Sequence, residues 1–99
     1  MKQTNILIKE NSWRARLAAR LMRSDNMAIV FGSTIHIWGV SREVFLQHKP
    51  WVKHELKHVE QYRKNGYFGF LAKYLWESIW HGYTNNKFEV EARAAENDD

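Results

Sequence analysis

Ninety-nine residues make one domain, and a chain that is 44% hydrophobic can bury a core of its own. The absence of Cys excludes both a disulfide scaffold and a thiolate-ligated metal site. A net charge of +4 is modest; it suits anionic partners but is more often just a solvated surface.

From the start of the chain, the apolar run Ile6-Leu7-Ile8 is too short for the core of a secretion signal. No stretch reaches the ~18 uncharged apolar residues of a membrane span. Tyr67 to Tyr83 comes nearest, but Lys73, Glu77 and His81 interrupt it. The expectation is a soluble, cytoplasmic protein with no membrane span. Ser12 predicts the N-cap of a first helix, about Trp13 to Arg23. Trp13, Leu17 and Leu21 recur every fourth position there, and Arg14, Arg16, Arg20 and Arg23 fill much of the rest. The five Trp of the chain are expected to be large anchors in the core.

Ser24-Asp25-Asn26 breaks the helix. Ala28 to Phe31 and Thr34 to Trp38 then read as two strands joined at Gly32-Ser33 into a hairpin. Gly39 to Lys49 is a connection with room for a short helical turn. Pro50 suits the first turn of a helix that runs to Asn65 and stops at Gly66. A third helix, Tyr67 to His81, is ended by Gly82. Asn85 or Asn86 caps a fourth, Lys87 to Glu96, followed by a frayed tail, Asn97 to Asp99. The fold class is α+β.

Within the second helix stands His54-Glu55-Leu56-Lys57-His58, an HExxH sequence. Helical positions i and i+4 share a face, so two imidazoles can reach one metal ion. The Glu beside the first His can address a water held by that metal, which is the zinc-protease arrangement. At 100° per residue, Val52, Leu56, Val59 and the stem of Arg63 form one stripe and the two His lie opposite, with Glu55 between them beside Tyr62. This predicts one side on a core and the other on a cleft.

Catalytic zinc takes three protein ligands and a water. Of the other imidazoles, His36, His48 and His81, none follows His58 at metzincin spacing, where Gln61 and Lys64 stand instead. The last helix offers Glu89 and Glu91, about 200° apart, so only one can face the site. Glu89 shares its side with Ala92, Arg93 and Glu96, close to Ala95, and small Ala residues allow close helix approach. Glu89 is the favoured third ligand and Glu91 the runner-up.

His54-Glu55-Leu56-Lys57-His58-Val59 followed by Glu89-Val90-Glu91-Ala92 resembles the gluzincin-type zinc metallopeptidases, and most of all the minigluzincins, very small soluble relatives of membrane-bound HtpX-type peptidases. The string also resembles small bacterial metallopeptidase-like domains. The likeness runs from about Met27 to Glu96 and implies a small zincin-like domain over residues 1–99: a backing helix, a small sheet, the motif helix and a glutamate helix. In the larger relatives the third ligand is the Glu of a Glu-x-x-Ala-Asp motif. That motif maps its Glu onto Glu89 and its Ala onto Ala92. The Asp that supports a ligand His falls on Arg93, a departure from the family. The resemblance also implies that the strand Thr34 to Trp38 borders the cleft and pairs with an extended peptide.

The expected function is zinc-dependent hydrolysis of peptide bonds. His54, His58 and Glu89 hold Zn²⁺, and Glu55 assists attack by the zinc-bound water on a peptide or protein substrate. Tyr83, Tyr62 and His81 are candidates for stabilising the oxyanion. Two alternatives stand beside it. One is a zinc-binding but silent or latent domain. The other is a non-enzymatic module in which the basic first helix, with Trp76 and Trp80, meets nucleic acid or a membrane surface. No nucleic acid is expected, since solvation and core burial account for both features.

Overall fold

Strand β1 (Leu7–Lys9) opens the computed structural model, which describes residues 6–98. The leading residues 1–5 and the last tail residue, Asp99, lie outside the described residues. After β1 come helix α1 (Trp13–Met22) and the hairpin of β2 (Met27–Phe31) and β3 (Thr34–Trp38). Four helices follow: α2 (Arg42–Gln47), α3 (Lys49–Asn65), α4 (Tyr67–Asn85) and α5 (Lys87–Ala95). The α+β expectation holds, with five helices and three strands among the described residues.

The hairpin forms as predicted, from Met27 opposite Trp38 to Phe31 opposite Thr34, and Gly32 supplies the left-handed φ of +65° its tight turn needs. β1 is an element the apolar run Ile6-Leu7-Ile8 had not announced. It pairs parallel to β3, with Leu7 opposite Thr34 and Lys9 opposite His36. The sheet order is therefore β1-β3-β2, and β3 is central. Both of its edges are hydrogen-bonded, so it has none left for a peptide. The expected docking role of Thr34 to Trp38 is thus corrected: among the described residues the edge strands are β1 and β2.

Alternation along β3 separates two faces. His36 turns towards α1, where its Nδ1 shares a 2.7 Å hydrogen bond with Ser12 Oγ. Trp38 lies on that side too, under the Arg16 guanidinium. Ile35 and Ile37 turn the other way, into a core with Val30, Phe45 of α2, Val59 and Tyr62 of α3, Phe70 of α4 and Phe88 of α5.

Ser12 caps α1 as expected, accepting from the Ala15 N–H. Its buried residues, however, are Ala15 and Ala19, while Trp13, Leu17 and Leu21 all stand more than half exposed. The sheet beneath already carries the bulky rings of Phe31, His36 and Trp38. Small residues fit that interface, and the large stripe is turned out. Trp76 and Trp80 are also largely exposed, so the Trp do not all anchor the core.

The short turn foreseen after Gly39 is α2, capped by Ser41 and pinned by fully buried Phe45. Pro50 and Gly66 bound α3 as predicted. At Gly82, φ +77° and ψ 168° interrupt the helical conformation of α4, and one further turn leads to Asn85. Asn86 is the cap of α5, accepting from Phe88 N–H at 2.8 Å. Of the tail, Asn97 and Asp98 are held rather than frayed: Asp98 N–H donates to the Ala95 carbonyl, and Lys53 of α3 reaches the Asp98 carbonyl. No helix among the described residues is long and apolar enough to cross a membrane.

Candidate metal centre

His54 and His58 stand one turn apart on α3, with ring centroids separated by 5.1 Å. α5 crosses the same face of α3. Buried Ala92 and Ala95 let it approach closely enough to insert Glu89 between the imidazoles. One oxygen, Glu89 Oε1, accepts from His54 Nε2 at 3.0 Å and from His58 Nε2 at 3.3 Å. A potential ligand atom from each of the three residues lies within 4.8 Å of the others, so the group could hold a metal ion.

The donor set fits such an ion. Two imidazole nitrogens and a carboxylate are borderline ligands suited to zinc. Tetrahedral zinc with bonds near 2.0–2.1 Å needs its donors about 3.3 Å apart, and the two nitrogen-to-Glu89 separations, 3.0 and 3.3 Å, are close to that. The far ring nitrogens are also fixed. His54 Nδ1 donates to Glu96 Oε2 at 2.6 Å, and His58 Nδ1 donates to Gln61 Oε1 at 2.8 Å. Outer acceptors of this kind set the tautomer and orientation of metal-binding His.

Carboxylates only accept hydrogen bonds, so His54, between two of them, carries protons on both nitrogens when no cation shares the site. Burial pushes its pKa down, but the Glu89 and Glu96 carboxylates outweigh burial and raise it. His58 follows the same balance, raised by Glu89, Glu55 and Gln61 against its burial. Glu89 is pushed up by burial and pulled further down by the two His and by Tyr74, whose hydroxyl donates to Oε2, leaving it well below the carboxylate range. Glu55 is buried beside them. Desolvation lifts its carboxyl to about 8, with His58 opposing and the Glu89 and Glu96 charges adding to the rise. A buried carboxyl shifted towards neutral pH is suited to moving protons.

Comparison with known protein families, with curated proteins and with solved structures finds no match.

The four residues singled out in the sequence, His54, Glu55, His58 and Glu89, do come together. Glu91 does not join them: it is exposed and accepts from Gln61 Nε2 at 2.7 Å. Arg93 turns away to the Thr84 carbonyl. Among the oxyanion candidates, Tyr83 is the one that senses the site; burial and the Glu89 and Glu55 charges push its hydroxyl to about 12. Tyr62 is enclosed by Tyr67 and Phe70, and His81 is exposed. His36 and His48 lie elsewhere, against Ser12 and Trp51.

Three supporting residues escaped the sequence reading. Gln61 lies three positions after His58, and Glu96 lies seven after Glu89, within about 20° of the same helical face, so periodicity carried a signal for both. Tyr74 carried none, because its role depends on how α4 folds back. The expected cleft is also corrected. The side of α3 that bears the His is covered by α4, where Phe70 and Tyr74 lean on the His58 ring. The groove of about 300 Å³ lined by Ala72, Lys73, Trp76, Glu77 and Lys87 includes none of the metal-site residues.

Proposed function

We propose that this protein is a zinc metallopeptidase that hydrolyses peptide bonds, with His54, His58 and Glu89 as zinc ligands and Glu55 as general base. One observation carries the reading. Both motif imidazoles aim Nε2 at the same Glu89 oxygen while Glu96 and Gln61 hold their Nδ1 atoms. When bound, zinc supplies Lewis acidity that polarises a carbonyl and acidifies a water. The chain's own residues do the rest. Glu55, buried beside the ligands, accepts a proton from the attacking water and passes it to the leaving amine. Tyr83, half exposed at the rim, is the candidate donor to the developing oxyanion.

Elemental mass spectrometry of the purified protein tests the ligands: near one zinc per chain, lost in His58→Ala. A peptide library then tests the chemistry, with Glu55→Gln as a variant that keeps zinc and loses turnover. Equal turnover by Glu55→Gln would sink the mechanism, and failure to take up zinc would sink the site.

Burial favours a second reading, a metal-holding domain that is silent or latent. Glu55, His58 and Glu89 are 5%, 7% and 3% exposed, which leaves a substrate little access. In that case zinc content matches the first reading, but no peptide is cleaved.

A further inference from the structure

We propose that the outward face of α1 docks on an anionic lipid bilayer. The buried residues of the helix are Ala15 and Ala19, and Leu17 points directly away from them at 100° per residue. Trp13, Leu17 and Leu21 therefore form a ridge facing away from the sheet, and they are 63%, 51% and 77% exposed. Arg14 flanks the ridge on one side, and Arg16 and Arg20 flank it on the other, with Arg23 at the cap.

The charge of the chain is concentrated here. Fifteen basic residues less these four leaves eleven, equal to the eleven acidic ones, so this one segment accounts for the whole net charge of +4. No acidic residue lies between Trp13 and Ser24. Among the described residues none of the four Arg takes part in an ion pair. Arg14 instead lies over the ring of Trp13 on the ridge, and Arg14 and Arg16 also lie over the sheet rings of Phe31 and Trp38 at its flanks.

An aliphatic and indole ridge between guanidinium groups is the pattern of a helix lying in a membrane interface. The apolar side chains enter the acyl boundary and the cations meet lipid phosphates. A second copy of the chain would bring four Arg against four Arg. Single-stranded nucleic acid stacks on successive aromatic faces, and α1 offers one aromatic residue, Trp13, beside Leu17 and Leu21. The exposed apolar face of α4 has no such sign of charge, with one Lys and one Glu between Tyr67 and Tyr83. The inference is independent of the metal site, because α1 and α3 cover opposite faces of the sheet.

Flotation of the full chain tests it, with vesicles of phosphatidylcholine alone or mixed with phosphatidylglycerol. Binding to the mixed vesicles only is expected, about fivefold weaker in Arg20→Gln and about 25-fold weaker in Arg20→Gln/Arg23→Gln. Leu17→Ser/Leu21→Ser should weaken it at least tenfold. These side chains are exposed, and a thermal melt verifies that each variant folds. Trp76→Ser/Ile79→Ser on α4 should bind as wild type. No flotation with anionic vesicles, equal flotation with neutral ones, or α1 variants that float like wild type would each overturn the proposal. So would loss of binding in the α4 variant, or a single-stranded oligonucleotide displacing the protein from vesicles.

Discussion

Replacing Glu96 with Gln removes one charge from the support of His54 while keeping the shape of the side chain. The bond it alters, from His54 Nδ1 to Glu96 Oε2, is 2.6 Å long, at the short end for a charge-assisted contact. Loss of such an outer partner costs about 10–100-fold in metal affinity. Two features place Glu96→Gln near the lower limit. The carboxylate is 35% exposed, so water screens it, and the amide oxygen of Gln still accepts. About tenfold weaker zinc binding is expected, equivalent to about 1.4 kcal/mol. Glu96→Ala, which leaves Nδ1 to water, should lose more. The assay is competition for zinc against a coloured chelator across a pH series. Because Glu96 also raises the pKa of His54, it strengthens the proton that zinc must displace. The deficit of the variant should therefore be widest at high pH and shrink as pH falls. If both variants bind zinc within about twofold of wild type at every pH, the claim that Glu96 supports a metal ligand is wrong.

Phe45→Ala, at a fully buried core position, should cost about 3–5 kcal/mol, a large part of a small domain's stability, and urea unfolding measures it. Gly39→Ala and Gly66→Ala make a matched pair, since both glycines have φ +78°. At Gly66 the added Cβ meets open space, and the cost is backbone strain of about 1–3 kcal/mol. At Gly39 it would lie 2.2 Å from the Asp25 carbonyl oxygen, so its melting temperature should fall further, and equal losses would contradict the steric account. The pKa of His36 is lowered from 6.5 by burial, Arg14 and Lys9, so the unfolded chain binds its proton more readily. Its contribution is intact above pH 6.5 and is lost as pH falls through the lower folded value. A pH series of unfolding curves should show a slope below 6.5 that weakens in His36→Gln.

What was legible in the sequence was what local rules determine. The i, i+4 His pair, the Pro50 and Gly66 boundaries, the Gly32-Ser33 turn and the Asn86 cap each depend on neighbours within a few residues, and all appear as read. Glu89 was separable from Glu91 because Ala92 and Ala95 mark the side of α5 that can come close. The misses are all tertiary. Three residues of β1 have no periodicity to read, and their partner β3 lies beyond a helix and a strand. α1 turned its small side inward because of rings contributed by the sheet, which no pattern within the helix reveals. The cleft expected beside His54 and His58 is filled by Phe70 and Tyr74, from a helix whose return path the sequence does not encode locally.

The triad draws its members from very different distances along the chain. His54 and His58 come into register as soon as α3 forms, a local event. Glu89 lies 35 and 31 residues further on, and arrives only when the intervening loop closes and α5 seats. A folding chain with α3 formed and α5 still free thus offers two nitrogens and no carboxylate. Zinc present during refolding should grip weakly first and tightly later. If the site takes zinc as proposed, the interval between the two reports when the last helix seats, read from the metal rather than from the protein.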